Sequence, residues 1–211
     1  MEFVLEIILN LIGFVVGLSI GIFAHIGFKN TGSPTLFRLT IAFLSISIGF
    51  GVVWIGYMAE SFIIHEGKIV PWVQTLGIGI TTVGYFFIAF SHSIKSFFPK
   101  SRYFKSIIVP LFVIPGNSIE HIIRSISFIL LIYGTIETIM SYMENRKGST
   151  IFVASGLGLL ALGEFLGWYS VVFPGSLLYY ISISTKIVGL GALAVPISKV
   201  PLMGMKFGGS L

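Results

Sequence analysis

A lysine lies in the middle of the last apolar run of the chain. Lys186 stands near the centre of the stretch from Leu177 to Pro196, which contains no other charged residue. A charge at the depth of a bilayer is costly, so such a side chain normally faces a partner, a cavity or a cofactor. Lys186 is therefore the first candidate for a functional residue.

A glutamate in the preceding apolar run is predicted to lie at nearly the same depth. At helical rise, Glu164 is about 13 Å and Lys186 about 15 Å from the nearer ends of their predicted helices. This placement predicts an ion pair, which would lower the cost of both charges. Three interpretations stay open. The pair only fixes helix packing; or it is a site for proton or ion movement, ligand binding or cofactor attachment; or the helices have other boundaries and one of the two groups snorkels to the interface.

Other intramembrane side chains are weaker candidates for a ligand site. Glu137 lies beside Tyr133 in another apolar run, and structural and functional interpretations weigh equally for it. Gln74 adds a polar group to the third run. Trp54 and Trp168 fit an aromatic belt at the membrane interface, with the lining of a cavity as the alternative.

Two histidines raise the question of a cofactor. His25 and His92 fall at the same predicted ends of the first and third apolar runs, and imidazoles so placed are able to ligate a haem iron. The preferred interpretation is interfacial histidines without a metal, since neither lies in a CxxCH or HExxH motif. The chain has no cysteine, which excludes disulfides and thiolate chemistry.

The composition is that of a membrane protein. Hydrophobic residues make up 55% of the 211 residues and charged residues 10%, whereas soluble domains carry about 25% charged residues. The mean hydropathy is +0.99. Apolar runs of spanning length leave no room for a soluble catalytic domain, so a non-enzymatic protein is predicted. Basic residues confined to short loops argue against nucleic-acid binding.

The apolar runs predict an all-α fold, a polytopic bundle of seven transmembrane helices in one domain. A span needs about 20 mostly apolar residues. The fourth is short and contains prolines, and a re-entrant fourth segment would reduce the count to six. The predicted spans are 3–27, 36–58, 69–90, 106–117, 122–143, 151–173 and 177–196.

The distribution of basic residues predicts the orientation. With seven spans, ten of the 13 lysines and arginines fall in loops on one side. By the positive-inside rule, the N-terminus is outside and the C-terminus cytoplasmic, in the plasma membrane. These ten residues are Lys29, Arg38, Lys95, Lys100, Arg102, Lys105, Arg146, Lys147, Lys199 and Lys206. Lys68 and Arg124 fall on the other side.

An internal repeat is suggested by self-similarity. A shift of 114 residues places the first two spans on the fifth and sixth, so that Gly49 meets Gly163 and Trp54 meets Trp168. In the third and seventh spans, the triplet at 77–79 meets the one at 189–191. This predicts a parallel 3+1+3 arrangement, in which a central site between the halves is common.

Two segments carry a resemblance to known proteins. VQTLGIGITTVGYFFIAFS and SISFILLIYGTIETIMSYMENRKGSTIFVASGLGLLALGEF resemble uncharacterised archaeal seven-helix membrane proteins, related to modules that precede sensor histidine kinases. The resemblance implies a receptor-like membrane module. Because no kinase domain follows here, such a module would signal through a partner.

The last span is weakly similar to that of microbial rhodopsins. Their retinal-linked lysine is followed by glycines, as Lys186 is by Gly189 and Gly191. Ser182 stands where rhodopsins have an aspartate, and the third span lacks a carboxylate for a counterion. Glu164 is a candidate counterion for a protonated Schiff base. Retinal is therefore a minor alternative, and no cofactor is predicted.

Three functional hypotheses follow. The leading one is a receptor-like or accessory subunit of a larger membrane complex, in contact with lipids and with other membrane subunits or copies of itself. The second is a small-solute or proton-coupled transporter that uses Glu164 and Lys186. The third is a chromophore- or haem-binding protein.

Overall fold

The computed structural model describes residues 2–62, 70–92, 119–146, 148–172 and 176–204. All regular structure within these ranges is α-helical, as predicted. The helices are α1 (Glu2–Thr31), α2 (Pro34–Phe62), α3 (Val70–His92), α4 (Ile119–Asn145), α5 (Gly148–Val172) and α6 (Ser176–Gly204).

These six helices are each long and apolar enough to cross a membrane. Large apolar side chains such as Ile55 and Trp72 point outward, which suits contact with lipid. The helices thus indicate a multi-pass membrane protein. The predicted fourth span, 106–117, lies outside the described residues. At the other end, α6 continues past Pro196, where the last span was predicted to stop; the proline removes only one backbone donor.

The link between α1 and α2 follows from its residue types. Gly32 adopts a positive φ of 65°, which costs a glycine little, and its N–H donates to the Phe28 carbonyl at 2.7 Å. Pro34 then opens α2, at the position where a helix has no use for the N–H that proline lacks. This cap closes a two-residue turn and sets α1 and α2 side by side.

The six helices form a closed ring in chain order, because each packs mainly against its two neighbours in sequence and α6 packs against α1. We call the end where α1 begins the amino face and the end where α6 ends the carboxyl face. Neighbours within α1–α3 and within α4–α6 are antiparallel. In contrast, α3 and α4 are parallel: Thr82 contacts Ser127, and seven residues later Ala89 lies against Gly134. Both helices therefore run from the amino to the carboxyl face.

Close approaches in one half of the ring recur in the other. A Cβ placed on Gly84 of α3 would lie 2.6 Å from the Ala42 carbonyl oxygen of α2. A Cβ placed on Gly189 of α6 would lie 2.9 Å from the Gly156 carbonyl oxygen of α5. These two contacts are related by a shift of 114 residues between α2 and α5 and by a shift of 105 residues between α3 and α6. The pairing predicted for 77–79 with 189–191 therefore has a different register from these contacts.

Candidate functional site

The structure brings Glu164 and Lys186 together in the amino half of the ring. Lys186 Nζ lies 2.7 Å from Glu164 Oε1, and the glutamate is only 1% exposed. The Tyr85 hydroxyl donates to the same carboxylate at 3.2 Å. Three helices thus meet at one buried carboxylate, which joins α5 to both α3 and α6.

A second cation, missed in the sequence, shares this carboxylate. Arg124 Nη1 lies 3.5 Å from Glu164 Oε2, and Arg124 Nη2 lies 2.8 Å from Glu120 Oε1. The sequence placed Arg124 among loop charges because it is only five residues into α4, yet it is 2% exposed. Its i, i+4 spacing from Glu120 was the available signal for a helical pair. Two acidic and two basic side chains give a neutral cluster, and this pairing lowers the free-energy cost of charges inside a membrane.

Two glycines of α5 make room for these cations. A Cβ on Gly163 would lie 2.5 Å from Lys186 Cγ, and one on Gly167 would overlap Arg124 Nη1 and lie 2.8 Å from Ser182 Oγ. The helix that carries the carboxylate therefore has a flat surface on either side of it. Small residues at such spacing commonly allow close helix approach in membranes; here they also let both cationic side chains lie against the carboxylate.

Hydroxyl and amide groups extend the network towards the amino face. Gln74 Nε2 donates to the Tyr57 hydroxyl and, at 3.3 Å, to the Tyr179 hydroxyl. Tyr57 also interacts with the Glu6 carboxylate of α1. Gln74 was a predicted site residue, whereas neither tyrosine was singled out from the sequence.

A cavity of about 40 Å³ lies at the centre of this network. That volume holds about one water molecule and is far below the roughly 300–1,000 Å³ of sites for drug-sized ligands. Retinal and haem therefore do not fit in it. Each of the six helices contributes at least one lining residue, such as Asn10, Phe50, Gln74, Arg124, Glu164 and Lys186.

A larger cavity, of about 480 Å³, opens at the carboxyl face; we call it the carboxyl-face cavity. Glu137, another predicted site residue, lines it together with Arg38, Ser91 and several further hydroxyls. Beside it, an apolar cavity of about 170 Å³ shares the lining residues Val153 and Pro196. Glu137 is thus separate from Glu164 and belongs to a second polar region.

Packed side chains separate the two polar regions. Along α5, Val153 borders the carboxyl-face cavity and Glu164 borders the central one, about 16 Å further along the helix axis. Leu157 and Leu160 fill the interval and are fully buried. On α3 the same layer is formed by Tyr85, whose ring is buried and whose hydroxyl reaches the carboxylate.

The remaining predicted residues are not brought into these cavities. Trp54 stacks on Phe14, and its buried Nε1 has no hydrogen-bond partner among the described residues. Trp168 packs against His121 and Phe165. Neither Trp54 nor Trp168 lines either of the two polar cavities.

The predicted residues Tyr133 and His25 also lie apart from the charge network. Tyr133 is half-buried on α4 and is not among the residues that line the polar cavities. His25 is exposed on the outside of α1, and the side chain of His92 lies outside the described residues. Within the described ranges, no group of three or more His, Cys, Asp or Glu residues is placed to hold a metal ion.

No protein-family model, curated protein or solved structure matches the chain. A neutral charge cluster around the buried Glu164, with a water-sized cavity beside it, can bind or release a proton or rearrange its pairs. The polar cavity at the opposite end is about twelve times larger and has room for a small solute.

Proposed function

We propose that the protein is a small-solute carrier coupled to the movement of protons. The observation that carries the proposal is the arrangement along the ring axis. A polar cavity opens at the carboxyl face, a packed layer follows, and a buried charge network lies towards the amino face. A carrier that is open to one side needs these three parts in this order, and binding at mid-membrane between repeats is common in carriers.

The coupling group in this proposal is Glu164. It has two competing cationic partners, Lys186 and Arg124, contributed by different helices. A proton taken up by the carboxylate weakens both ion pairs, so that α4 and α6 lose a shared anchor on α5. Arg124 keeps Glu120 as a partner throughout, which leaves Lys186 as the cation free to move.

The proposed topology has seven spans, with the N-terminus outside and the C-terminus cytoplasmic in the plasma membrane. The support is that α3 ends at the carboxyl face while α4 begins at the amino face, so residues 93–118 have to connect opposite faces. We also retain the parallel 3+1+3 repeat, with the register that the glycine contacts favour. Because Arg124 is buried on α4, the number of basic residues counted in the outer loops by the positive-inside rule falls by one.

The orientation is tested with single cysteines, since the chain has none of its own. Ser61→Cys marks the amino face, at the end of α2, and Ser33→Cys marks the carboxyl face. In intact cells, a membrane-impermeant maleimide should label the first variant and reach the second only after permeabilisation. The opposite pattern contradicts the orientation, and equal labelling contradicts the placement of the two sites on opposite sides.

The function is tested in proteoliposomes with a pH-sensitive dye inside. A library of small polar solutes is added while a pH gradient is imposed. We expect at least one solute to accelerate dissipation of the gradient in the wild type and to do so no longer in the double variant Glu164→Gln with Lys186→Met, which removes the pair without leaving a lone charge. Absence of any solute-dependent proton flux from well-folded protein contradicts the proposal.

The second candidate function is a receptor-like or accessory subunit. The observation in its favour is the small central cavity, which fits a protein that binds a ligand at one face without passing it through. In that case the protein binds a solute in the carboxyl-face cavity, proteoliposomes show no flux, and a partner co-purifies from native membranes.

A further inference from the structure

The carboxyl-face cavity contains one positive and one negative side chain that do not pair with each other. The Arg38 guanidinium lies over the Phe90 ring, 5.3 Å from its centroid, and has no carboxylate within 4.0 Å among the described residues. The Glu137 carboxylate makes neither an ion pair nor a hydrogen bond with another described residue. Both side chains are half-buried. Partly desolvated charges gain from a partner, so each of them favours a ligand group of the opposite sign.

Helix ends strengthen the difference between the two sides of the cavity. Thr35 lies in the first turn of α2, with Arg38 one turn further, and Ser149 lies in the first turn of α5. The first N–H groups of a helix lack intrahelical partners and carry a partial positive charge. Two helix starts and a guanidinium thus face the cavity, which suits an anionic group such as a carboxylate.

Glu137 marks the other side. It lies in the C-terminal half of α4, next to the buried Thr138 and with Ser91 of α3 also lining the cavity. The hydroxyls of Thr138 and Ser91 donate to carbonyls of their own helices, so their oxygens remain acceptors. A carboxylate with acceptor oxygens around it suits an ammonium group.

We propose that the carboxyl-face cavity binds a small zwitterion, with an ammonium group at Glu137 and a carboxylate at Arg38. A simple anion would leave Glu137 without a partner, and a simple cation would leave Arg38 without one. The volume of about 480 Å³ accommodates a molecule of amino-acid size with its hydration water. This inference rests on the proposed function, for which it names the substrate class.

The test measures binding by thermal stabilisation of the detergent-purified full-length protein. The probes are glycine, L-alanine, L-serine, L-glutamine, L-leucine and glycine betaine, with propionate and ethanolamine as singly charged controls. At least one zwitterion should stabilise the wild type while propionate and ethanolamine at the same concentration do not. The inference is overturned if no zwitterion stabilises the protein, or if a singly charged probe does so equally well.

Variants locate the site. Glu137→Gln and Arg38→Gln should each lower the affinity for the zwitterion about tenfold or more, the loss expected for one hydrogen bond to a charged group. Glu144→Gln and Lys29→Gln are the matched controls, because both are exposed charges near the same face. Equal losses in the control variants, or unchanged affinity in the two cavity variants, contradict the inference.

The binding test and the transport test can contradict the two proposals separately. Zwitterion binding that depends on Glu137 and Arg38, without flux in proteoliposomes, keeps the site and contradicts the carrier. Flux of a solute that does not need these two side chains keeps the carrier and contradicts the site.

Discussion

The buried ion pairs predict an unequal response to removal of their members. Replacing Glu164 by Gln leaves the Lys186 ammonium without an ion-pair partner among the described residues, because the amide oxygen accepts a hydrogen bond but carries no charge, and Arg124 remains a like-charged neighbour. Breaking a buried pair in this way costs about 3–5 kcal/mol, because an uncompensated charge remains. We expect a loss in that range in the free energy of unfolding.

The reverse change should cost less. In Lys186→Met, Glu164 keeps Arg124 at 3.5 Å and the Tyr85 hydroxyl at 3.2 Å. What is lost is one charge-assisted contact, about 1.5–3 kcal/mol. The double variant removes one charge of each sign, and Arg124 retains Glu120, so its net cost should fall to about 0–1 kcal/mol. The expected order is therefore Glu164→Gln, then Lys186→Met, then the double variant.

The assay is unfolding in mixed micelles by titration with sodium dodecyl sulfate, followed by circular dichroism. Glu137→Gln is the control, since this half-buried carboxylate has no partner among the described residues and should change stability by less than about 0.5 kcal/mol. The reasoning is refuted if the double variant is as unstable as Glu164→Gln, or if Lys186→Met is the most damaging change.

Three further predictions use the same unfolding assay. Gly163→Ala should cost about 1–3 kcal/mol because the new methyl displaces Lys186, whereas Gly191→Ala, which meets open space, should be nearly neutral; equal costs contradict the close-approach argument. Tyr85→Phe removes a hydrogen bond to the buried carboxylate and should cost about 1 kcal/mol, and no loss means that this contact is absent in solution. Gly32→Ala should cost about 1–2 kcal/mol through its positive φ and Gly32→Asn less, so an equal loss in both refutes the backbone explanation.

The helices and the ion pair between Glu164 and Lys186 could be predicted because both follow from positions along the sequence. Length and apolar composition define a spanning helix, and equal depth on consecutive helices placed Glu164 opposite Lys186. Helical rise gives the depth of each side chain, and two consecutive helices joined by a short link are neighbours in space. The contact between α5 and α6 is of this kind.

Contacts between helices distant in sequence could not be predicted in this way. Arg124 lies near the start of its helix, where depth alone places it at the interface, and only the crossing of α4 over Gly167 brings it to the carboxylate. The role of Tyr57 and Tyr179 could not be predicted for a related reason. Rotation about the helix axis decides whether these side chains face lipid or Gln74. Almost uniformly apolar helices have no hydrophobic periodicity from which that rotation can be predicted.

The carboxyl-face cavity was missed because it forms where five helices end. Its hydroxyls, such as Ser91, Ser149 and Thr150, are individually unremarkable in sequence. Only Glu137 was singled out, and Arg38 lines the same cavity only because the ring of helices closes.

The parallel packing of α3 against α4, and of α6 against α1, means that no short turn holds the two halves of the ring together. Among the described residues, each seam consists of contacts between two packed helices, and these contacts do not depend on a peptide bond between the halves. Two separate translation products, divided within residues 93–118, each contain three of the described helices, and in each product the first of these three helices begins at the amino face. Co-expressed in one membrane, they have all the contacts that assemble the charge network, which makes the ring in effect a dimer of unlike halves.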